Sequence, residues 1–413
     1  MDFLTLILIV VAFVMMGGGQ YGVAALILIY GMAPVLAAYN VQLASRGLGN
    51  LLLVIKMFAE VGAIHSDGAT AAALWIVAAL AAAGVILTHK MTTQFMLFAW
   101  PIWPLSIGAG VDILFAFAVP VAGLFIAAGA TGVKFQARQW AAHAEIVGFW
   151  TRRWRDLGGH SFRRSPIYAV PGQSGGKTFH QPGVRGAVSH VVLLGSYLPM
   201  AFLLPMSLLW SPPPPTWLIA WLFVALAASI LTLFVPFLKG LGGGHLYLFN
   251  AVPPAAIWWG LLLERGETPS FIFFAVGFAA TITSLAIAYR RRTVLSRRSD
   301  GGLDEAIAFL RAEPASRVAA FPWTVPERIA FETHHRVFWG GHGAGLDKLE
   351  PFFPVMSRTL REAFSEHRIR WVLLSTTWWP EGEAAIRREF PDAKDRRFEG
   401  WILFDLRESG VLQ

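Results

Sequence analysis

Phe271-Ile-Phe-Phe-Ala-Val-Gly-Phe-Ala-Ala-Thr-Ile-Thr-Ser-Leu-Ala-Ile-Ala-Tyr289-Arg290-Arg291-Arg292 is the stretch on which the architecture turns. Residues 271–289 carry no charge, and at roughly 1.5 Å per helical residue they suffice to cross a hydrocarbon core of roughly 30 Å. The run stops at three arginines, and the chain changes material there. Residues 1–300 hold 19 Lys and Arg against 9 Asp and Glu, whereas residues 301–413 hold 15 against 17. The first part is greasy and basic, and the second has the mixed charge of a soluble domain. Only 15% of the 413 residues are charged, well short of the quarter usual in soluble domains, which excludes an ordinary soluble enzyme. Basic excess in such a chain points to lipid headgroups and topology rather than to nucleic acid.

Upstream of that run, segments of comparable character lie at 3–16, 21–40, 48–64, 70–88, 92–108, 112–130, 191–210, 216–238 and 250–263. With 270–289 they predict about ten spans in an α-helical polytopic membrane protein. Met1-Asp2-Phe3-Leu4 lacks the basic region of a signal peptide, so 3–16 reads as a mature span. Segment 48–64 contains Lys56 and Glu60, four apart on one helix face and so expected to pair, which suits either an interfacial helix or the lining of a groove. Asp112 follows Gly108-Ala109-Gly110 and reads as a helix cap at a hairpin, the alternative being a buried functional carboxylate.

Residues 131–190 form the longest connection. Lys134 to Arg185 holds nine basic residues against Glu145 and Asp156. Its first half, Phe135–Trp154, reads as an interfacial amphipathic helix anchored by Trp140, Ile146, Phe149, Trp150 and Trp154. Arg152, Arg153, Arg155, Arg163 and Arg164 are expected to meet headgroups or a lipid phosphate, or else only to fix topology. The second half is rich in Gly and Pro and carries His160 and His180, with His190 at its end. Gly172-Gln-Ser-Gly-Gly-Lys177-Thr178 imitates a phosphate loop. However, the position that should be its first glycine is Pro171, which has no N–H to offer.

A basic linker, 291–300, leads to residues 301–413, where helix and strand patterns alternate: helix 303–311, strand 317–321, helix 324–332, strand 337–339, helical region 346–367, strand 371–375, helix 381–390 and strand 398–406. The pattern predicts a small, mostly parallel α/β domain. Gly340-Gly341-His342-Gly343 follows a strand, where open α/β sheets hold ligands; it reads as a tight turn or as a ligand loop with His342 as the hydrogen-bonding group. Neighbouring His334 and His335 diverge too much to share a metal ion. The chain has no cysteine, which removes disulfides, thiolate metal sites and cysteine nucleophiles. No cofactor and no metal ion are expected.

Three stretches carry a resemblance. Thr88-His89-Lys90-Met91-Thr92-Thr93-Gln94 closes one span. Lys239-Gly-Leu-Gly-Gly-Gly-His245-Leu-Tyr247-Leu-Phe-Asn250 leads into the Pro253-Pro254 span. Arg336-Val-Phe-Trp-Gly-Gly-His342 lies in the C-terminal domain. With the many spans and the basic aromatic loop, they resemble polytopic glycosyltransferases of the GT-C type. The resemblance implies a polyprenyl-phosphate-linked sugar as donor, cations for the departing phosphate and a carboxylate base for the acceptor hydroxyl. Lys239, His245, Arg163 and Arg164 are then the phosphate-binding candidates, and His89, Lys90, His180 and His342 further polar candidates. The family's acidic motif belongs to a long loop after its first span, but residues 17–20 here are Gly-Gly-Gly-Gln. Asp67, at a span boundary in His65-Ser66-Asp67-Gly68, is the substitute base, or an ordinary turn residue.

That gap keeps a second expectation open, a non-catalytic scaffold or accessory subunit completed by a partner membrane polypeptide. A transporter would show an internal repeat, and a haem-binding subunit would show histidines centred in spans; neither pattern is evident. The expected location is a bacterial cytoplasmic membrane. Arg290–Arg292 place the C-terminal domain in the cytoplasm by charge bias, whereas the resemblance places it outside.

Overall fold

The computed structural model describes residues 1–39, 45–108, 110–156, 183–242, 244–296, 301–322, 325–339 and 358–407. The chain divides into two compact units, one of residues 1–147 and 190–293, the other of residues 148–189 and 294–413.

The first unit is helical. Among the described residues seven helices are long and apolar enough to cross a membrane: Gln20–Ala37, Arg46–Ile64, Gly68–Thr88, Val111–Thr131, Thr216–Phe234, Gly244–Glu264 and Thr268–Arg290. Val191–Tyr197 and Pro199–Leu209, bent by 111°, make an eighth if they count as one span. This is a multi-pass membrane protein. Three of the ten expected segments take other forms. Segment 3–16 is helix α1 (Asp2–Met15), only 14 residues long. Segment 92–108 breaks between Lys90–Ala99 and Trp103–Ile107, around Pro101 and Pro104. Segment 191–210 bends at Pro199. A proline inside a helix removes a backbone donor and clashes with the preceding turn, so hydropathy alone overstates these two.

In chain order the remaining helices of this unit are α2 (Gln20–Gly31), α3 (Pro34–Tyr39), α4 (Arg46–Ile64), α5 (Gly68–Thr88), α6 (Lys90–Ala99), α7 (Trp103–Ile107), α8 (Val111–Thr131), α9 (Val133–Asp156), α10 (Gly183–Tyr197), α11 (Pro199–Leu203), α12 (Thr216–Phe234), α13 (Val252–Glu264) and α14 (Thr268–Ser296). Three of them, α9, α10 and α14, run on past the unit boundary. Glycines set how closely the spans approach. A Cβ on Gly123 of α8 would meet Ala82 of α5 at 2.7 Å, and one on Gly22 of α2 would meet the Gly260 carbonyl of α13 at 2.8 Å. Buried Trp103, Trp217 and Trp221 pack edge to face with one another or with Phe58. The pair expected at Lys56 and Glu60 exists, at 2.8 Å and inside the bundle, with Trp103 Nε1 donating to Glu60 at 2.5 Å.

Contacts along the helices sort their termini into two ends. Gly49 meets His89, and Gly62 meets Leu74, so α4 and α5 are antiparallel. Trp75 stacks on Phe115 while Gly123 meets Ala82, so α5 and α8 are parallel. Thr216 donates to the Ser106 carbonyl, and Gly244 packs on Ser229 and Leu233, which orients α12. Arg46, Lys90, Lys134, Arg138, Lys239 and Arg290 therefore lie towards one end, with Asp2 and Glu145. Asp67, Asp112, Glu264 and Glu267 lie towards the other, with Arg265.

In the second unit, α15 (Gly301–Ala312), α16 (Pro326–Glu332) and the helices Leu360–Glu366 and Gly382–Glu389 accompany a five-stranded sheet in the order β2-β1-β3-β5-β4. Its strands are β1 (Arg317–Phe321), β2 (Arg336–Val337), β3 (Trp371–Ser375), β4 (Lys394–Phe398) and β5 (Trp401–Asp405). β1 pairs with β2 and β3 in parallel, while β5 pairs with β3 and β4 antiparallel. The sheet is thus mixed, a correction to the mostly parallel expectation. The final strand read as 398–406 is β5, and it forms a hairpin with β4, which the reading missed. Lys394-Asp-Arg-Arg-Phe398 lacks apolar alternation, yet as a solvated edge strand it needs none. Gly400, at φ +73°, turns the hairpin in a conformation glycine adopts without strain. β3 and β5 are buried throughout. Leu303, Ile307 and Leu310 of α15 pack on Val318, Trp371 and Leu403.

Candidate functional site

At the basic end, the α5–α6 junction faces the first half of α9 across a cleft of ≈ 220 Å³. Ile86, Leu87, Phe135 and Trp140 supply apolar wall, and His89, Lys90, Gln94, Gln136, Gln139 and His143 supply polar groups. Local sequence explains the placement. α5 ends at Thr88, whose hydroxyl donates back to the Gly84 carbonyl at 2.7 Å. His89 then leaves the helical region and caps α6, its Nδ1 accepting from the Thr92 N–H at 3.3 Å and lying 2.8 Å from Thr92 Oγ1. Thr93 donates to the Val85 and His89 carbonyls, holding the junction closed. Gly49 admits His89 beside α4, because any Cβ there would stand 2.7 Å from the His89 Cβ.

Two histidines of this cleft are held uncharged. Burial, and then the Arg46 guanidinium, lower the His89 pKa to about 4. Burial, and then the Lys90 ammonium, lower that of His143. Behind them Gln94 Nε2 lies 2.8 Å from His143 Nε2, and the Tyr247 hydroxyl donates to Gln94 Oε1 at 2.6 Å. Arg46 acts on His245 as well as on His89, and His245 stacks on Tyr197 with ring centroids 5.1 Å apart. The result is a pocket with one cation, Lys90, and neutral polar groups beside aliphatic and aromatic surface. An anionic headgroup with an apolar tail meets both requirements.

Of the residues singled out from sequence, His89 and Lys90 line the cleft, and His245 does not, although the Arg46 charge acts on both histidines. The Lys239 backbone belongs to the 3-10 helix Pro236–Leu241, whose last carbonyl lies 3.3 Å from the Tyr247 hydroxyl. Asp67 stands apart. It is exposed, caps α5 without a side-chain bond, and lies a 21-residue helix away from His89, roughly 30 Å at 1.5 Å per residue. Asp112 sits in the first turn of α8, where a carboxylate favours the helix dipole; Gly110 takes the cap position expected of it. Arg163, Arg164, His180 and His342 lie outside the described residues. So do the side chains of Arg152, Arg153 and Arg155, whose backbone continues α9. Among the described residues no cluster of His, Asp or Glu could hold a metal ion.

Sequence reading missed Arg46, Gln136, Gln139 and His143. His143 follows Trp140 by three residues, on the same face of the amphipathic helix, a spacing that marked it for the cleft wall.

Comparisons of this chain with protein-family models, with curated proteins and with solved structures return no match.

Proposed function

We propose that this chain binds a polyprenyl-phosphate-linked sugar at its basic end, as a glycosyltransferase-like protein of a bacterial cytoplasmic membrane. α1, α6–α7 and the bent α10–α11 pair are taken as partial spans that bring the count near ten. One observation carries the reading: the His89–Lys90–His143 cleft joins cationic and neutral donors to an apolar wall at one end of a membrane bundle. Lys90 meets the phosphate charge, the glutamines and histidines meet its oxygens, and Trp140 and Phe135 meet the first isoprene units.

A second reading is favoured by a specific feature. Among the described residues lining the cleft there is no carboxylate, and Asp67 is a helix length away. As an accessory subunit, the chain would present the lipid to a partner membrane polypeptide that supplies the base.

Binding of radiolabelled undecaprenyl-phosphate sugar to the protein in nanodiscs tests the shared premise. Lys90→Gln should weaken binding about tenfold, since a hydrogen bond to a charged group contributes about 1.5–3 kcal/mol. Unchanged binding would remove the cleft from the reading. Transfer to a saccharide acceptor by the purified chain alone would favour the enzyme; binding without transfer would favour the accessory subunit.

A further inference from the structure

The Gln94 carboxamide lies between two groups whose hydrogen-bonding roles depend on each other. It is buried, as is Tyr247. A carboxamide has one accepting and one donating side, so the chain Tyr247–Gln94–His143 has a polarity. With the Tyr247 hydroxyl donating to Gln94 Oε1 at 2.6 Å, the amide nitrogen faces His143 Nε2 at 2.8 Å. That ring nitrogen must then be a lone pair, and the neutral imidazole carries its hydrogen on Nδ1. Protonation of His143 puts a hydrogen on Nε2. Gln94 must then turn its oxygen towards the ring and its NH2 towards the Tyr247 oxygen. The hydroxyl needs a new acceptor, and the Leu241 carbonyl is already within 3.3 Å. In either polarity each facing pair along the chain sets one donor against one acceptor, and a mixture of the two sets like against like. Such an element is bistable, and a ligand that favours one state shifts its population.

We propose that His143, Gln94 and Tyr247 form a proton-coupled switch through which negative charge in the cleft is transmitted to the Leu241 carbonyl and the adjoining Gly242. The ligand class is a phosphate ester, so this regulatory role rests on the lipid-phosphate reading above. Burial and the Lys90 ammonium oppose charge on His143. The groups around it are His89 and Lys90 from the α5–α6 junction, Gln94 from α6, and Gln136, Gln139 and Trp140 from its own helix. Among these, only Lys90 carries a standing charge. A phosphate beside Lys90 reverses the local sign and favours the imidazolium. The Tyr247 hydroxyl then moves from Gln94 to the Leu241 carbonyl. This carbonyl ends a 3-10 helix just before Gly242, whose φ of +128° makes it a natural pivot. Beyond the pivot lies His245, stacked on Tyr197.

The test uses the full chain in nanodiscs, with 15N-labelled histidine and 13C-labelled tyrosine, His143 and Tyr247 being assigned from His143→Gln and Tyr247→Phe. Near neutral pH, His143 should be the Nδ1–H tautomer. On acid titration the Tyr247 Cζ shift should follow His143 with the same midpoint. In Gln94→Leu, His143 should still titrate while Tyr247 stays flat. Should that variant misfold, Tyr247→Phe serves instead; it frees the amide to turn and should raise the His143 midpoint. An Nε2–H tautomer at rest, or a Tyr247 signal that ignores His143 protonation, overturns the switch. Undecaprenyl phosphate at neutral pH should move both signals as acid does, and inorganic phosphate alone should do so only if the headgroup suffices. If acid couples the two residues but undecaprenyl phosphate moves neither, the switch stands and the lipid reading falls.

Discussion

His89 has a measurable consequence at the scale of one residue. Its pKa is about 4 in the folded protein, against about 6.5 in an unfolded chain. Below pH ~6.5 the unfolded chain takes up a proton that the folded one refuses, so stability falls with pH until about pH 4, where the folded form is protonated too. Above pH ~6.5 the contribution is fully present. The loss across that window is about 3 kcal/mol. Thermal unfolding in detergent should show it, and His89→Gln should flatten the profile. Lys56 and Glu60 offer a second case. Removing one member of a buried pair strands the other, at a cost of about 3–5 kcal/mol, whereas replacing both by apolar groups is often neutral. Lys56→Met should therefore lower Tm sharply, and Lys56→Met with Glu60→Leu should recover most of the loss. A double variant as unstable as the single one would mean that the pair holds more than itself together.

At the scale of elements, backbone approach decides how spans pack, because lipid supplies no hydrophobic drive between them. α2 crosses α13 where Gly22 and Gly260 meet, each within 3.0 Å of where the other's added Cβ would touch backbone oxygen. Glu264, one turn further along α13, accepts from the Gly22 N–H at 2.7 Å and so satisfies a donor in the first turn of α2. Gly260→Leu should cost about 1–3 kcal/mol through overpacking, read as a lower Tm. Gly31, at the end of the same α2, has open space around it, and Gly31→Ala should leave Tm unchanged or slightly raised. Equal losses from both substitutions would show that helix propensity, not the crossing, is at work.

At the scale of the whole molecule, the helical unit is polarised along its membrane axis. Arg46, Lys90, Lys134, Arg138, Lys239 and Arg290 gather towards one end, and Asp67, Asp112, Glu264 and Glu267 towards the other. The positive-inside tendency predicts that the basic end faces the cytoplasm. Because the chain contains no cysteine, single introduced cysteines report sidedness directly. In intact bacterial cells a membrane-impermeant maleimide should label Asp67→Cys and spare Lys134→Cys until the cells are opened. The reverse pattern would place the cleft on the outer face, as the glycosyltransferase resemblance implies.

The sequence by itself determined what depends on composition and short-range pattern. Seven of the apolar runs, the Lys56–Glu60 pair and the strands 317–321 and 371–375 were legible, because hydropathy, i,i+4 spacing and continuous apolar runs are local properties. Part of the site was legible too: His89 and Lys90 stood out as polar residues at the ends of apolar runs. Tertiary structure decided the rest. The separation of Asp67 from the cations follows from which way α5 runs. The approach of α4, with Arg46, to His89 follows from the antiparallel packing of α4 on α5 at Gly49. The chain from His143 through Gln94 to Tyr247 joins residues 49 and 153 positions apart. No local period encodes such a contact; it exists only because packed helices bring their ends to the same side of the bundle.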